Sequence, residues 1–153
     1  MNITLKKLNK TYKRVNPSTY FEKIEKKNIV ELEKQRKNLF HNKLNFPIEL
    51  FKNKKLLDLG SGTGLYSVIY NLWGSDCTLI EYDSHSFKKS KEIFEKFGRQ
   101  NSQNNFKNID LFNFKGEFTL DKRRVLYDIV HCNGVLHHTS KKELGIKLMA
   151  ENL

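Results

Sequence analysis

A short apolar strand that runs directly into a glycine-rich loop is the feature that most restricts the fold of this chain. Residues 55–59 read Lys-Leu-Leu-Asp-Leu, and glycines then occupy alternate positions across Gly60–Gly64. Apolar residues recur at helical spacing over Leu65–Leu72. A continuous apolar run followed by a glycine turn and an amphipathic stretch predicts a buried strand, a tight loop and a helix.

The same alternation of strand and helix continues through the rest of the chain. The three further predicted strands are Cys77–Glu81, Phe106–Asp110 and Leu126–His131. Ser84 is expected to cap a helix that stops near Gly98, and Ser140–Glu143 has the pattern of a capping box before a last helix. Alternating strands and helices predict an α/β fold, a Rossmann-like doubly wound and mostly parallel sheet, of which four strands are recognisable.

The N-terminal third of the chain is more basic than the rest. The chain carries 28 Lys+Arg against 17 Asp+Glu, and most of the excess lies before residue 54. We expect residues 1–47 to form a basic helical extension, with a helix from a capping box at Thr19–Glu22 to about Phe40, and residues 48–153 to form the core. A basic segment of this kind could steer nucleic acid, but a solvated basic face is the more economical interpretation.

Several classes of protein are excluded by what the sequence lacks. No apolar run reaches the length needed to span a bilayer, so no membrane span is expected. The two cysteines, Cys77 and Cys132, are far apart and belong to no ligand pattern, so no metal site is expected. Unpaired cysteines inside apolar runs favour a reducing, cytoplasmic setting.

Polar residues stand where the predicted strands end. Asp58 lies next to the glycine loop, Glu81 and Asp110 close the second and third strands, and Asn133 follows the fourth. In an open α/β sheet, ligands bind outside the carboxyl ends of the strands. These side chains are therefore expected to converge on one crevice.

The spacing of the glycines separates classes of nucleotide site. A dinucleotide fingerprint needs a third glycine at position 65, where this chain has Leu65, and no Gly-Lys-Ser/Thr phosphate loop is present. The pattern is Asp-x-Gly-x-Gly-x-Gly, and it is followed by Leu-Ile-Glu-Tyr-Asp at 79–83, Asn-Ile-Asp-Leu-Phe at 108–112 and Tyr-Asp-Ile-Val-His-Cys-Asn-Gly at 127–134. With this set in this order, the chain resembles the class I S-adenosylmethionine-dependent methyltransferases of the small-molecule-type group, from about Lys55 onward.

The resemblance implies S-adenosylmethionine as cofactor and a role for each matching position. Gly60, Gly62 and Gly64, with Ser61 between them, would line the methionine and ribose portions; Asp58 would brace this loop and help accept the ammonium group. Glu81 would take the ribose hydroxyls, Tyr82 would pack on the adenine, and Asp110 would accept from the adenine amino group with Leu111 beside it. Asn133 would complete the site. A net positive ligand without phosphate suits a crevice of carboxylates.

His137 and His138 follow the fourth strand, where the resembling enzymes present residues to the methyl acceptor. Either histidine could act as a general base on an acceptor hydroxyl. The alternative is a structural role, in which one histidine caps the next helix or packs under the loop.

Three functions remain open at this point. The first is methyl transfer to an O, N, S or C atom, most simply of a small molecule. The second is a cofactor-binding or regulatory module without turnover. The third, disfavoured by Leu65, is an NAD-dependent oxidoreductase.

The resembling family has a seven-stranded sheet, of which four strands are recognisable here. Either the chain is a C-terminally truncated copy, the simpler interpretation, or a partner chain completes the sheet; a truncated copy would leave the fourth strand at an exposed edge. We predict that the 153-residue chain self-associates through Leu126–His131 or melts at low temperature. Light scattering and thermal melts, compared with a version extended by the missing strands, check this. A monomeric chain that melts as high as the extended one would contradict the expectation.

Overall fold

The computed structural model describes residues 24–153. Its helices are α1 (Lys26–Lys37), α2 (Leu65–Leu72), α3 (Ser84–Phe97) and α4 (Lys142–Glu151). Its strands are β1 (Lys55–Leu59), β2 (Asp76–Ile80), β3 (Asn105–Lys107), β4 (Glu117–Phe118), β5 (Arg124–Val125) and β6 (Ile129–His131). A π-helical turn at Asn38–Lys43 extends α1, and short 3-10 helices cover Ile48–Phe51, Leu111–Asn113 and Leu136–His138.

Four parallel strands form the central sheet in the order β3-β2-β1-β6. In the centre of the register, Leu57 of β1 lies between Thr78 of β2 and Val130 of β6. Strands β2 and β3 lie on one side of β1, and β6 lies on the other, so the winding of the chain reverses at β1. This is the doubly wound arrangement, and the predicted α/β Rossmann-like class is confirmed. The remaining strands, β4 and β5, pair antiparallel in a separate hairpin.

The sheet is covered on both faces, as a parallel sheet requires. Alternate residues of β1 point to opposite sides: Leu56 packs in one buried cluster, whereas Leu57 and Leu59 pack in another. The first cluster also contains apolar residues of α1, α2 and α3, and the second contains residues of α4 and of the 3-10 helix after β3. Both clusters abut β1, which is therefore the centre of the core.

Helix α1 flanks the sheet and also contributes to the core. Ile29, together with Ile24 just before the helix, is buried in the first cluster. The π-helical turn carries Phe40 into edge-on contact with Phe51 and Tyr70. The predicted capping box at Thr19–Glu22 lies outside the described residues.

Two predicted helix caps are wrong. Helix α3 is capped by Asp83 and not by Ser84: the Asp83 carboxylate accepts from the backbone N–H of Ser86 at 2.8 Å. The capping box at Ser140–Glu143 does not form, because α4 begins one residue later with Lys141 at its N-cap and no side-chain cap.

Two predicted strands are shorter than expected. β3 ends at Lys107, and Asp110 instead caps the 3-10 helix at Leu111–Asn113, accepting from the N–H of Phe112 at 2.9 Å. β6 begins at Ile129, and Leu126 lies outside it with its side chain exposed. In both cases hydrogen bonds beyond the strand compete with the ladder. β2 is shifted by one residue from the predicted span and ends at Ile80, so Glu81 stands just beyond it.

Gly98 ends α3 as predicted, but for a different reason. Its φ is −65°, so it does not adopt the left-handed conformation that favours glycine at helix ends. A Cβ atom at this position would lie 2.5 Å from the carbonyl oxygen of Phe94. Close approach of the backbone therefore selects glycine here.

No helix in residues 24–153 has the length and apolar character that crossing a membrane would require.

Asp128 connects the amino-terminal ends of β1 and β6. Its carboxylate accepts from the backbone N–H of Lys55 at 2.9 Å and from Lys54 Nζ at 3.0 Å. The hydrogen bond from Lys55, aided by Lys54, lowers the pKa of Asp128 below its usual value of 3.8.

A carboxyl with a lowered pKa in the folded state stabilises the fold above its unfolded-state pKa, and this contribution is lost as the pH falls through the folded-state pKa. We therefore predict that Asp128→Asn flattens the acid limb of the stability profile below about pH 4. Urea unfolding at a series of pH values measures it. An acid limb as steep as in the unsubstituted chain would contradict the assignment.

Candidate functional site

The glycine loop is anchored to the neighbouring strand. The backbone N–H groups of Gly60 and Ser61 both donate to the carbonyl of Ile80, at 2.8 and 3.1 Å, and Gly64 N–H donates to the carbonyl of Ser61 at 2.9 Å. These bonds turn the chain sharply at the end of β1 and direct it into α2. The loop thus lies over the carboxyl end of β2.

The glycines of the loop meet different surroundings. Gly62 and Gly64 have φ values of 55° and 73°, in the region that disfavours side chains. A Cβ on Gly64 would lie 3.0 Å from side-chain atoms of both Leu79 and Ser90, whereas a Cβ on Gly62 would have no atom within 4 Å. Gly64 therefore serves close packing of α2 and α3 on β2, and Gly62 borders open space where a ligand can approach the backbone.

Glu81 is hydrogen-bonded into the glycine loop. Its Oε2 accepts from the N–H of Gly62 at 2.7 Å, and its Oε1 accepts from the N–H of Asp83 at 2.7 Å. Burial raises the pKa of Glu81, and the two backbone donors oppose that rise. The structure therefore brings Glu81 and the loop together, as predicted, and the carboxylate holds the loop in place.

The segment after β3 lies beside Glu81. Glu81 N–H donates to the carbonyl of Lys107 at 3.1 Å, and the Asn108 amide donates to the carbonyls of Glu81 and Tyr82 at 2.8 and 3.0 Å. Asp110 follows two residues later, with Leu111 buried. The predicted adenine-side residues therefore stand on adjacent loops. Tyr82, the residue after Glu81, is about half exposed (52%).

Ser61 carries an unsatisfied polar atom at the same place. Its Oγ is buried and has no hydrogen-bond partner among the described residues. A buried hydroxyl without a partner is costly unless something else supplies one. Together with the open space at Gly62, this atom fits a polar ligand lying against the loop.

Asp58 is turned away from that open space. It is almost fully buried (2% exposed), and its oxygens accept from Ser67 Oγ in α2 and from His131 Nδ1 in β6, the latter at 2.9 Å. Ser67 lies in the first turn of α2, so Asp58 ties the two ends of the glycine loop together. In the structure, Asp58 therefore contacts the loop's flanking elements and not the open space at Gly62.

His131 is not among the predicted site residues. It lies directly opposite Asp58 in the parallel register, and its Nε2 is 3.3 Å from the hydroxyl of Tyr70, which also accepts from Arg36 of α1. The contact could have been inferred from position alone, because Asp58 and His131 are the last polar residues of two strands that the fold places side by side. Tyr70 and Arg36 carry no such signal.

The residues that follow β6 lie mostly at the protein surface beside the glycine loop. Asn133 is exposed, as are His137 and His138, whose ring centroids are 3.8 Å apart in the 3-10 helix after β6. Lys141 is the N-cap of α4, so neither histidine caps it. Val135, from the same segment, packs so close to Gly60 that a Cβ there would lie 2.5 Å from it. This segment thereby adjoins the glycine loop and leaves the histidines open to solvent.

Comparison with protein families gives one match, a model described as a methyltransferase domain, over residues 57–153. Among curated proteins, ribosomal protein L11 methyltransferase of Prochlorococcus marinus strain AS9601 is 34% identical over 86 residues, which are 55% of this chain and 27% of that protein. The same protein from strain MIT 9301 matches to the same extent.

Solved structures share the fold. Magnesium protoporphyrin IX methyltransferase of Synechocystis PCC 6803 with bound S-adenosylhomocysteine superposes with a TM-score of 0.61 at 17% identity, over 85% of this chain and 57% of that one. The 1,6-didemethyltoxoflavin-N1-methyltransferase of Burkholderia thailandensis gives 0.62 at 13%, over 98% and 56%. This chain thus spans about a quarter of the curated relatives and about half of these solved chains.

The contrast between Gly62 and Gly64 generates a prediction about the loop. Gly64→Ala adds left-handed strain to steric overlap with Leu79 and Ser90, and we expect it to lower the free energy of unfolding by about 3 kcal/mol. Gly62→Ala adds strain alone, about 1 kcal/mol, but narrows the open side of the loop. Urea unfolding of both variants measures the difference. Equal losses would contradict the assignment of Gly64 to packing.

Proposed function

Since this chain belongs to the family of S-adenosylmethionine-dependent methyltransferase domains, we propose that it binds S-adenosylmethionine against the glycine loop and presents it for methyl transfer. The family uses this cofactor, and structural neighbours hold it or S-adenosylhomocysteine. The site lies at the carboxyl ends of β1, β2 and β3, where the polar residues of the crevice gather.

The observation that carries the proposal is the position of Glu81 beside Gly62. A carboxylate has more acceptor sites than the two that Gly62 and Asp83 occupy, so it can still accept from a pair of vicinal hydroxyls. The same carboxylate would repel a diphosphate at this place, because buried like charges interact strongly. A ribose fits this position best. Dinucleotide-binding folds also place an acidic ribose ligand at the end of the second strand, so it is Leu65, in place of the third glycine, that disfavours a dinucleotide.

The remaining contacts follow from the same placement. Asp110 and Leu111 are the candidates for the adenine edge, and the Tyr82 ring for its face. The orphaned Oγ of Ser61 is the candidate donor to the methionine portion, and the open face at Gly62 admits it. Asp58 acts behind the loop. Since its carboxylate is almost fully buried between Ser67 and His131, we assign it to holding the loop rather than to direct contact with the ammonium group.

The chemistry is a displacement in which the sulfonium of the bound cofactor supplies the methyl group to an acceptor atom. The chain contributes alignment of the reactants and exclusion of water. The candidates for the acceptor side are His137 and His138, in the 3-10 helix after β6, whereas Asn133, which directly follows that strand, is a candidate for the cofactor side. A histidine there can take a proton from an acceptor hydroxyl.

The relatives differ in the methyl acceptor that their names give. The names of the relatives span a ribosomal protein, a magnesium porphyrin and a toxoflavin precursor. We propose a small molecule, in keeping with the group that the motifs resemble. Nucleic acid is the alternative acceptor. It would contact the exposed lysines of α1, of which Lys27 and Lys37 are paired with Glu25 and Glu33, and Lys26 and Lys34 stand beside them.

Calorimetric titration tests the binding site directly. The chain is expected to bind both S-adenosylmethionine and S-adenosylhomocysteine and to leave NADH unbound. Glu81→Ala is expected to weaken binding by about 1.5–3 kcal/mol, because it removes hydrogen bonds to a charged acceptor. Glu92→Ala, an exposed position on α3 paired only with Lys89, is the matched control and should bind normally.

Thermal melts of both variants establish that they are folded. Binding of NADH in place of S-adenosylhomocysteine would overturn the proposed ligand, and unchanged affinity in Glu81→Ala would overturn the ribose site. Tight binding without methyl transfer to any acceptor would identify a binding module rather than an enzyme.

A further inference from the structure

A hydrogen-bonded relay connects four separate elements behind the glycine loop. Arg36 of α1 donates to the Tyr70 hydroxyl of α2, which lies 3.3 Å from His131 Nε2 in β6; His131 Nδ1 lies 2.9 Å from Asp58 Oδ1 in β1. Ser67 Oγ donates to the other oxygen of Asp58. The relay therefore runs from the N-terminal helix to the residue that closes the loop.

A neutral imidazole gives every bond in the relay one direction. The Asp58 carboxylate can only accept, so the ring proton of a neutral His131 lies on Nδ1 and Nε2 is left as an acceptor. The Tyr70 hydroxyl then donates to Nε2, and its oxygen accepts from Arg36, which can only donate. In either protonation state of the ring, the bond from Nδ1 to Asp58 is the same.

The relay ends inside the protein and does not reach the methyl acceptor. Tyr70 is fully buried (0% exposed), and the side chain of His131 is mostly buried (17% exposed). Burial raises the pKa of Tyr70 to about 12, so its hydroxyl keeps its proton at neutral pH. These groups are therefore placed to orient one another rather than to exchange protons with a substrate.

A cation lies at the far end of the relay. The Asp58 carboxylate itself is stabilised by the donors that it accepts from, Ser67 and His131. The guanidinium of Arg36 is fixed between aromatic rings, with its Cζ 4.2 Å from the ring centroid of Tyr66 and 5.1 Å from that of Phe40. This places a cation of α1 at the far end of the relay.

We propose that His131 is a positioning residue for the cofactor site: it donates from Nδ1 to Asp58 and so fixes the carboxylate that closes the glycine loop, while Tyr70 and Arg36 fix the imidazole. This inference rests on the proposed function only for its effect on binding, since the relay itself is present in the chain without ligand. Helix α1 thereby becomes part of the support of the cofactor site, although it lies outside the segment that matches the family.

Two substitutions of His131 separate the two ends of the relay. The side-chain nitrogen of asparagine stands as many bonds from Cβ as Nδ1, so His131→Asn keeps a donor for Asp58. The carboxamide of glutamine reaches as far from Cβ as Nε2, and its oxygen can accept from the Tyr70 hydroxyl, so His131→Gln keeps the contact with Tyr70 but removes the donor to Asp58. We expect His131→Gln to weaken S-adenosylhomocysteine binding about tenfold and His131→Asn to stay within about threefold.

Tyr70→Phe against Tyr66→Phe is the second pair. Both tyrosines lie on α2 with their rings next to Arg36, but only the Tyr70 hydroxyl belongs to the relay. In ligand-free protein, ¹⁵N–¹H NMR is expected to show the His131 ring protonated at Nδ1, with a proton that exchanges faster in Tyr70→Phe and unchanged in Tyr66→Phe.

The outcomes separate the relay from the proposed function. Equal binding losses in His131→Gln and His131→Asn, or a ring protonated only at Nε2, would overturn the positioning role. Failure of the unsubstituted chain to bind S-adenosylhomocysteine, with the NMR result as expected, would overturn the proposed function and with it the effect on binding, and would leave the relay as a structural support.

Discussion

A carboxylate removed from water must find its donors inside the protein, and Asp58 finds them in two different elements. Ser67 reaches it from the first turn of α2, and His131 reaches it from the end of β6. Because Asp58 in β1 must accept from both residues, its carboxylate holds β1, α2 and β6 together at this point. Because the glycine loop joins β1 to α2, that position also sets where the loop can lie.

The carboxyl edge of the sheet follows from this arrangement. The loop lies on β2 through the carbonyl of Ile80, and Glu81, one residue later, reaches back to Gly62. The segment after β3 is then held against Glu81 by Asn108. Each strand end therefore constrains its neighbour, and the polar residues of three strands share one region without any direct covalent or metal link in the described chain.

Much of this arrangement could be predicted from local sequence. The bounds of β1 and α2 agree with the predicted ones, because a fully buried apolar run, a glycine turn and an amphipathic helix follow each other without competing signals. The site residues at the ends of β1 and β2 follow from the same pattern, since parallel strands bring their carboxyl ends to one edge.

The failures have different causes. The hairpin of β4 and β5 was not predicted, because each of its strands has only two residues and no alternating pattern. His131 lacks any partner nearby in sequence, since Asp58 is 73 positions away. Asp83 and Ser84 are both good helix caps, and the choice between them depends on the geometry at the end of β2. Local propensity does not contain this information.

The bond between Glu81 and Gly62 has a consequence for the energetics of ligand capture. In the chain alone, the acceptor that faces the site already holds the loop backbone at 2.7 Å. The loop is therefore ordered when the chain folds. Ligand binding then does not have to offset a further loss of conformational entropy by the loop. The loop is preorganised, so at the proposed site affinity should depend chiefly on polar groups of the ligand that match Glu81 and Ser61 without disturbing the bond that is already present.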